Sequence, residues 1–135
     1  METAYFPGGT GRRAVGAIFN LVALAAIGVA AEQVWGSTRW TAIALAAGFG
    51  AQFWGKIVQP VGGGNSVAVF GLAASVAVLA VLQGVGMQRL LGLISLLGAT
   101  VLLVVGDIHG GAATIGALLG LAFVLVVQRG KSKSA

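Results

Sequence analysis

Two side chains in this sequence have the chemistry of a serine nucleophile and its base. Ser66 follows a glycine-rich stretch and begins an apolar run, and His109, the single histidine in the chain, begins another. A serine hydroxyl becomes a nucleophile when a base within hydrogen-bond reach takes its proton and donors stabilise the oxyanion that forms. We therefore predict that Ser66 is a nucleophile and that His109 is its general base.

The remaining polar residues near these two positions have more than one interpretation. Asn20 is the strongly polar side chain of the first apolar run, and with the Ser66 backbone N–H it could supply the oxyanion donors. The structural alternatives are an asparagine hydrogen-bonded between helices and a histidine in contact with lipid headgroups. Asp107 precedes His109 by two residues, a spacing that separates two side chains on a helix. We therefore expect Asp107 to be a membrane-boundary residue and not a third catalytic group.

The composition is that of a protein that lies in a bilayer. Hydrophobic residues make up 58% of the chain and charged residues 8%, against about 25% charged residues in a typical soluble domain. The absence of cysteine excludes disulfides and thiol chemistry, and one histidine cannot build a zinc site, so we expect neither a metal nor an organic cofactor. The eight basic residues that give the net charge of +5 flank the first apolar run, lie singly between later runs or lie in the C-terminal tail, which favours headgroup contacts over nucleic-acid binding.

Five apolar runs predict the architecture, at residues 14–31, 40–55, 66–83, 90–106 and 109–128. Each approaches the roughly 20 residues that a helix needs to cross about 30 Å of hydrocarbon. We predict an all-α protein, a bundle of five transmembrane helices in one domain over residues 1–135, with flexible tails at 1–13 and 129–135. Gly116 and Gly120 are four residues apart, a spacing that allows two helix backbones to approach closely.

The basic residues also indicate an orientation. An odd number of spans puts the termini on opposite sides, and a cytoplasmic C-terminus gives that side five of the eight lysines and arginines. The excess favours a plasma (inner) membrane protein with its N-terminus outside and its C-terminus inside. In this orientation Ser66, His109 and Asn20 all lie in the outer leaflet.

The chain resembles the rhomboid family of intramembrane serine proteases over about residues 16–128. The resemblance lies in three stretches that occur in the family's order, with one further helix between the second and the third. Residues 16–40 resemble the family's H-x-x-x-N motif, its second helix and the turn after it, with matches at Asn20, Glu32, Gly36, Ser37, Arg39 and Trp40. Residues 64–72, "GNSVAVFGL", resemble the G-x-S-G nucleophile motif followed by an aromatic residue, with matches at Gly64, Ser66, Phe70 and Gly71. Residues 109–120 resemble the final helix, with matches at His109, Ala112, Gly116 and Gly120.

The resemblance implies a five-helix, rhomboid-like protease that cleaves transmembrane segments near the outer membrane face. It also implies that Phe70 packs against the His109 ring. Three departures favour an alternative, because the family's first core helix has no counterpart, Gly16 replaces the His of H-x-x-x-N, and Val67 replaces the Gly after the nucleophile. The alternative is an inactive rhomboid-like pseudoprotease that binds a transmembrane helix as an adaptor or serves as a small subunit of a membrane complex.

Overall fold

The computed structural model describes residues 8–58 and 66–133, and it is helical through nearly all of that range. The helices are α1 (Gly8–Val58), α2 (Ser66–Gln83), α3 (Met87–Val104) and α4 (Ile108–Lys133). All four are long and apolar enough to cross a membrane. The predicted all-α class is therefore confirmed, and the four helices have the length and composition of membrane-spanning helices. Gly64, one of the predicted site residues, lies outside the described residues.

The first two predicted runs form one element, α1, which is broken at a single residue. Gly36 has φ 74° and ψ 160°, a conformation that glycine adopts without the steric cost that a side chain would bring. The chain folds back at this point, since the Trp40 ring lies 3.7 Å from the place of a Cβ on Gly28. Twelve residues of straight helix would separate these positions by about 18 Å. We call residues 8–35 the first arm of α1 and residues 37–58 the second arm.

A buried hydrogen bond attaches the bend in α1 to α2. The Trp35 indole Nε1 donates to the Ser75 hydroxyl at 3.1 Å, and that hydroxyl donates to the Leu72 carbonyl at 2.7 Å. Ser75 is fully buried, so the loss of either partner would leave a polar group without water, at a cost of about 1–3 kcal/mol. The second arm is antiparallel to α2, since its Ile43 packs in a cluster with Leu72 and its later Ala51 packs in a cluster with the earlier Val67. The first arm folds back on the second arm, so it runs in the same direction as α2.

The closest helix contact in the fold joins α2 to α4 through glycines. A Cβ on Gly116 would collide with the backbone of Gly71, and a Cβ on Gly120 would lie 2.8 Å from the Cα of Ser75. On its other side Gly71 meets Ala47 of the second arm. The spacing of four residues between Gly116 and Gly120 thus marks the face of α4 that packs against α2.

Helix α3 lies at the edge of the bundle. Gly92 is its buried residue, and a Cβ there would lie 2.8 Å from the Ala77 carbonyl of α2. Most other α3 side chains are exposed and apolar, as expected of a helix that faces lipid. The helix begins three residues before the predicted run 90–106 and ends at Val104. Helices α1 and α4 likewise extend into residues 8–13 and 129–133, which we had predicted to be tails.

We predict that Gly116→Ala destabilises the protein by about 1–3 kcal/mol, because the added methyl group forces α4 away from the Gly71 backbone. Gly48→Ala is the matched control, since a Cβ at that helical position meets nothing within 4 Å. The control should be neutral or stabilising by up to about 1 kcal/mol. Unfolding by SDS in mild-detergent micelles, followed by circular dichroism, measures both. Equal stabilities of the two variants would contradict the prediction.

Candidate active site

The structure brings the predicted nucleophile and base together. Ser66 is the first residue of α2, and His109 is the second residue of α4. The Ser66 Oγ lies 2.9 Å from the His109 Nε2, although 43 residues separate them along the chain. When the imidazole carries its proton on Nδ1, the serine O–H donates to Nε2, which is the arrangement that general-base catalysis requires. The His109 side chain is 28% exposed, so the site is open to water or to an incoming peptide.

Phe70 forms one wall of the site. Its ring centroid lies 4.6 Å from that of His109, and the two ring planes are inclined at 51°. Phe70 follows Ser66 by one helical turn, so α2 presents the hydroxyl and the phenyl ring on the same face. This contact restricts the rotation of the imidazole and keeps Nε2 directed toward Ser66.

Asp107 does not point away from His109, contrary to our expectation. Its Oδ1 lies 2.6 Å from the His109 Nδ1 and accepts the His109 backbone N–H at 2.8 Å. The expectation assumed two positions within one helix, whereas Asp107 precedes α4 and caps its first turn. An N-cap side chain folds back over the turn that follows it, and this brings the carboxylate to the ring.

The hydrogen bond from the His109 backbone N–H is the main reason that the pKa of Asp107 lies below its ordinary value. Partial burial opposes this effect, while the hydrogen bond and the charge interaction with the His109 ring add to it. Asp107 therefore keeps its negative charge beside the imidazole at neutral pH.

Trp54 holds the turn that carries Asp107 and His109. Its indole Nε1 donates to the Asp107 carbonyl at 3.2 Å, and its ring fills the space above Gly111, where a Cβ would lie 2.5 Å from a ring carbon. The second arm of α1 thus supports the start of α4. Sequence reasoning missed Trp54, because a tryptophan near the end of an apolar run is also typical of a membrane-interface residue.

Asn20 lies on the first arm of α1, which borders the same two cavities as α2 through Ile27 and Ala73. Asn20 is half-buried, and no hydrogen bond among the described residues joins it to Ser66 or His109. Its oxyanion role remains a prediction.

Val67 and Gly16, the two positions at which the sequence departs from the motifs that it resembles, have different surroundings. Val67 is 1% exposed and packs in a cluster with Ala47, Ala51 and Ala112, whose small side chains leave room for its branched one. It does not separate Ser66 from His109. Gly16 has open space around it among the described residues, because a Cβ there would meet none of their atoms within 4 Å.

An apolar groove leads away from the site along α2 toward the opposite end of the bundle. One cavity of about 560 Å³ lies between α2 and α3 and includes Phe70 and Ala113 in its wall. A second cavity of about 530 Å³ continues it toward Gln83, and the two share Ile27, Ala73 and Ser95. We call these two cavities together the lateral groove. Its walls come from α2, α3 and the first arm of α1, with Ala113 of α4 at the end near the site.

The described residues contain no cluster of three or more histidine, cysteine or acidic side chains that could hold a metal ion. No protein-family model, curated protein or solved structure matches this chain. The features that bear on function are therefore the geometry of Ser66, His109 and Asp107 and the lateral groove beside them.

We predict that the stability advantage of the wild type over Asp107→Asn disappears in acid. A carboxylate with a lowered pKa stabilises the fold above its unfolded-state pKa of about 3.9, and it loses that contribution as the pH falls through the lower folded-state value. Thermal unfolding in detergent between pH 7 and pH 2.5 should show the two midpoints converging below about pH 4. Parallel midpoints over that range would contradict the lowered pKa.

Proposed function

We propose that this chain is a rhomboid-like intramembrane serine protease that uses Ser66 and His109. The observation that carries the proposal is the 2.9 Å contact between the Ser66 Oγ and the Nε2 of the chain's single histidine. Serine and histidine side chains in this geometry, partly open to solvent at the ends of two helices, are suited to acyl transfer. The packing of Phe70 on the imidazole supports the same interpretation.

The proposed reaction has two stages. The His109 Nε2 takes the Ser66 proton while the Oγ attacks a peptide carbonyl, and the same proton then passes to the leaving amine as the acyl-enzyme forms. His109 then deprotonates a water molecule, which attacks the ester, and the imidazolium gives that proton to the departing Ser66 Oγ. The Ser66 backbone N–H, which has no partner within its own helix because Ser66 is the first residue of α2, and the Asn20 amide are the donors that we propose for the oxyanion.

The lateral groove supports a transmembrane segment as substrate. It follows α2 from Val69 to Gln83, fourteen residues or about 21 Å, which is most of the hydrocarbon thickness. Its walls are rich in alanine and glycine, the residues that let one helix pack closely on another in a membrane. A substrate helix in the groove would present its unwound end to Ser66, beside Phe70.

The same proposal includes five membrane passes, with the N-terminus outside and the C-terminus inside the plasma (inner) membrane. Helix α1 contains 51 residues, about 76 Å of helix, against a hydrocarbon core of about 30 Å. The bend at Gly36 lets each arm cross once. The passes then alternate in direction, so that α2 and α4 both begin on the outer side.

A second candidate function is a pseudoprotease adaptor that holds a transmembrane helix in the lateral groove without cleaving it. The specific observation in its favour is Gly16, which leaves the site with one oxyanion-side donor fewer than the family's motif supplies. The groove itself requires no catalysis in order to bind a helix.

Labelling with a fluorophosphonate probe in detergent micelles tests the protease proposal. We expect the wild type to be labelled, Ser66→Ala to remain at background, and His109→Ala to be labelled about 100-fold more slowly or less. Thr41→Ala is the matched control, because its exposed hydroxyl bonds to the Ser37 carbonyl within the second arm and lies outside the lateral groove. A folded wild type that resists labelling, or a Ser66→Ala variant labelled equally well, would reject the protease. Binding of a transmembrane peptide without cleavage would then favour the adaptor.

We predict that Gly16→His raises the labelling rate tenfold or more. The substitution restores an oxyanion-side donor, whose removal from a serine protease costs on the order of 10²–10³ in rate, and open space surrounds the position. Gly48→His is the control, since it also adds a side chain to open space but lies on the second arm. Equal rates for both variants and the wild type would show that position 16 does not reach the oxyanion.

A further inference from the structure

We infer that Asp107 is a positioning residue for His109, which makes the site a Ser66–His109–Asp107 triad. This inference rests on the proposed function, and it adds a carboxylate to a mechanism that the resemblance implies to be a dyad. The three groups form a continuous line of hydrogen bonds. The Asp107 Oδ1 contacts the His109 Nδ1 at 2.6 Å, and the His109 Nε2 contacts the Ser66 Oγ at 2.9 Å.

One oxygen of Asp107 has two partners that belong to the same residue. It accepts the backbone N–H of His109 at 2.8 Å and contacts the ring Nδ1 at 2.6 Å. The backbone contact fixes the carboxylate relative to α4, so the ring contact fixes the side-chain torsions of His109. Helix capping needs only the first of these contacts, and the second serves the imidazole alone.

The carboxylate also selects the tautomer. Because an ionised carboxylate only accepts hydrogen bonds, its 2.6 Å contact places the imidazole proton on Nδ1. The Nε2 lone pair is then directed at the Ser66 hydroxyl, ready to accept its proton. Once that proton has moved, the negative charge of Asp107 stabilises the imidazolium.

The rest of the bundle holds Asp107 in place for this role. The Trp54 indole donates to the Asp107 backbone carbonyl at 3.2 Å, and Phe70 covers the His109 ring at 4.6 Å between centroids. The carboxylate side chain is 32% exposed, so its effect on the imidazole is weaker than that of a fully buried triad aspartate.

The test uses the fact that the chain contains one histidine. In protein labelled with ¹⁵N-histidine, in detergent micelles and alkaline buffer where imidazole is neutral, the ring gives a single pair of ¹⁵N resonances. Their couplings to the two carbon-bound ring protons tell Nδ1 from Nε2. We expect the wild type to carry its proton on Nδ1. A wild-type proton on Nε2 would overturn the inference, whatever the enzymatic activity.

Asp107→Ser is the informative variant, because serine caps a helix about as well as aspartate but is too short to reach the ring. We expect unchanged helicity, a shift of the proton toward Nε2, and a fluorophosphonate labelling rate reduced tenfold or more. An unchanged tautomer with a rate within twofold of the wild type would overturn the inference. A wild type that is not labelled at all would reject the proposed function, while the tautomer would still decide the role of Asp107.

Asp107→Asn provides a second route if the serine variant does not fold. Asparagine keeps a side-chain oxygen for the cap and removes only the charge. Labelling should again fall tenfold or more, and labelling at the wild-type rate would overturn the inference.

Discussion

The backbone contact between α2 and α4 is the constraint on which the site depends. Gly71 and Gly116 bring the two helices together where no side chain intervenes, and Ala47 of the second arm closes the third side. Ser66 lies five residues before this contact and His109 seven, which is about 8 and 10 Å along parallel helices. At that distance from a tight crossing, two helix ends diverge little. The glycines therefore determine the separation of the two side chains.

The sequence predicted the elements better than their connections. The run 66–83 coincides with α2, because a polar glycine-rich stretch precedes it and Gly84 follows it. The polar residues between 32 and 39 suggested a loop between two helices, but helix continues on both sides of Gly36. Hydrophobic periodicity cannot show this, since a single residue with positive φ reverses the chain. The exposed Glu32 and Ser37 form a hydrogen bond across the bend, in which the Ser37 hydroxyl donates to the Glu32 carboxylate at 2.6 Å.

The proximity of Ser66 and His109 could be predicted from the sequence, but the contact of Asp107 with His109 could not. Alternating spans give α2 and α4 the same direction, so residues that begin each helix lie at one end of the bundle. Asp107 was misjudged because helical spacing rules apply inside a helix and fail at the residue that caps it. Trp54 was not found because its contact with the Asp107 carbonyl spans 53 residues and follows no local pattern.

Val67 and Gly16 depart from the motifs that the sequence resembles, and they differ in whether neighbouring residues can compensate for the change. A change of volume can be offset by its neighbours, and the alanines around Val67 provide that space while the Ser66–His109 contact is kept. A missing hydrogen-bond donor is different, because the oxyanion forms at one point and only a donor aimed at that point can replace the lost one. In the described part of the chain, no atom lies within 4 Å of a Cβ placed on Gly16. The donors that we propose therefore come from Asn20 and the start of α2. In the triad that we infer, a carboxylate that orients the imidazole and stabilises its protonated form acts on another part of the same barrier, so the proposed role of Asp107 offsets part of what the oxyanion side lacks.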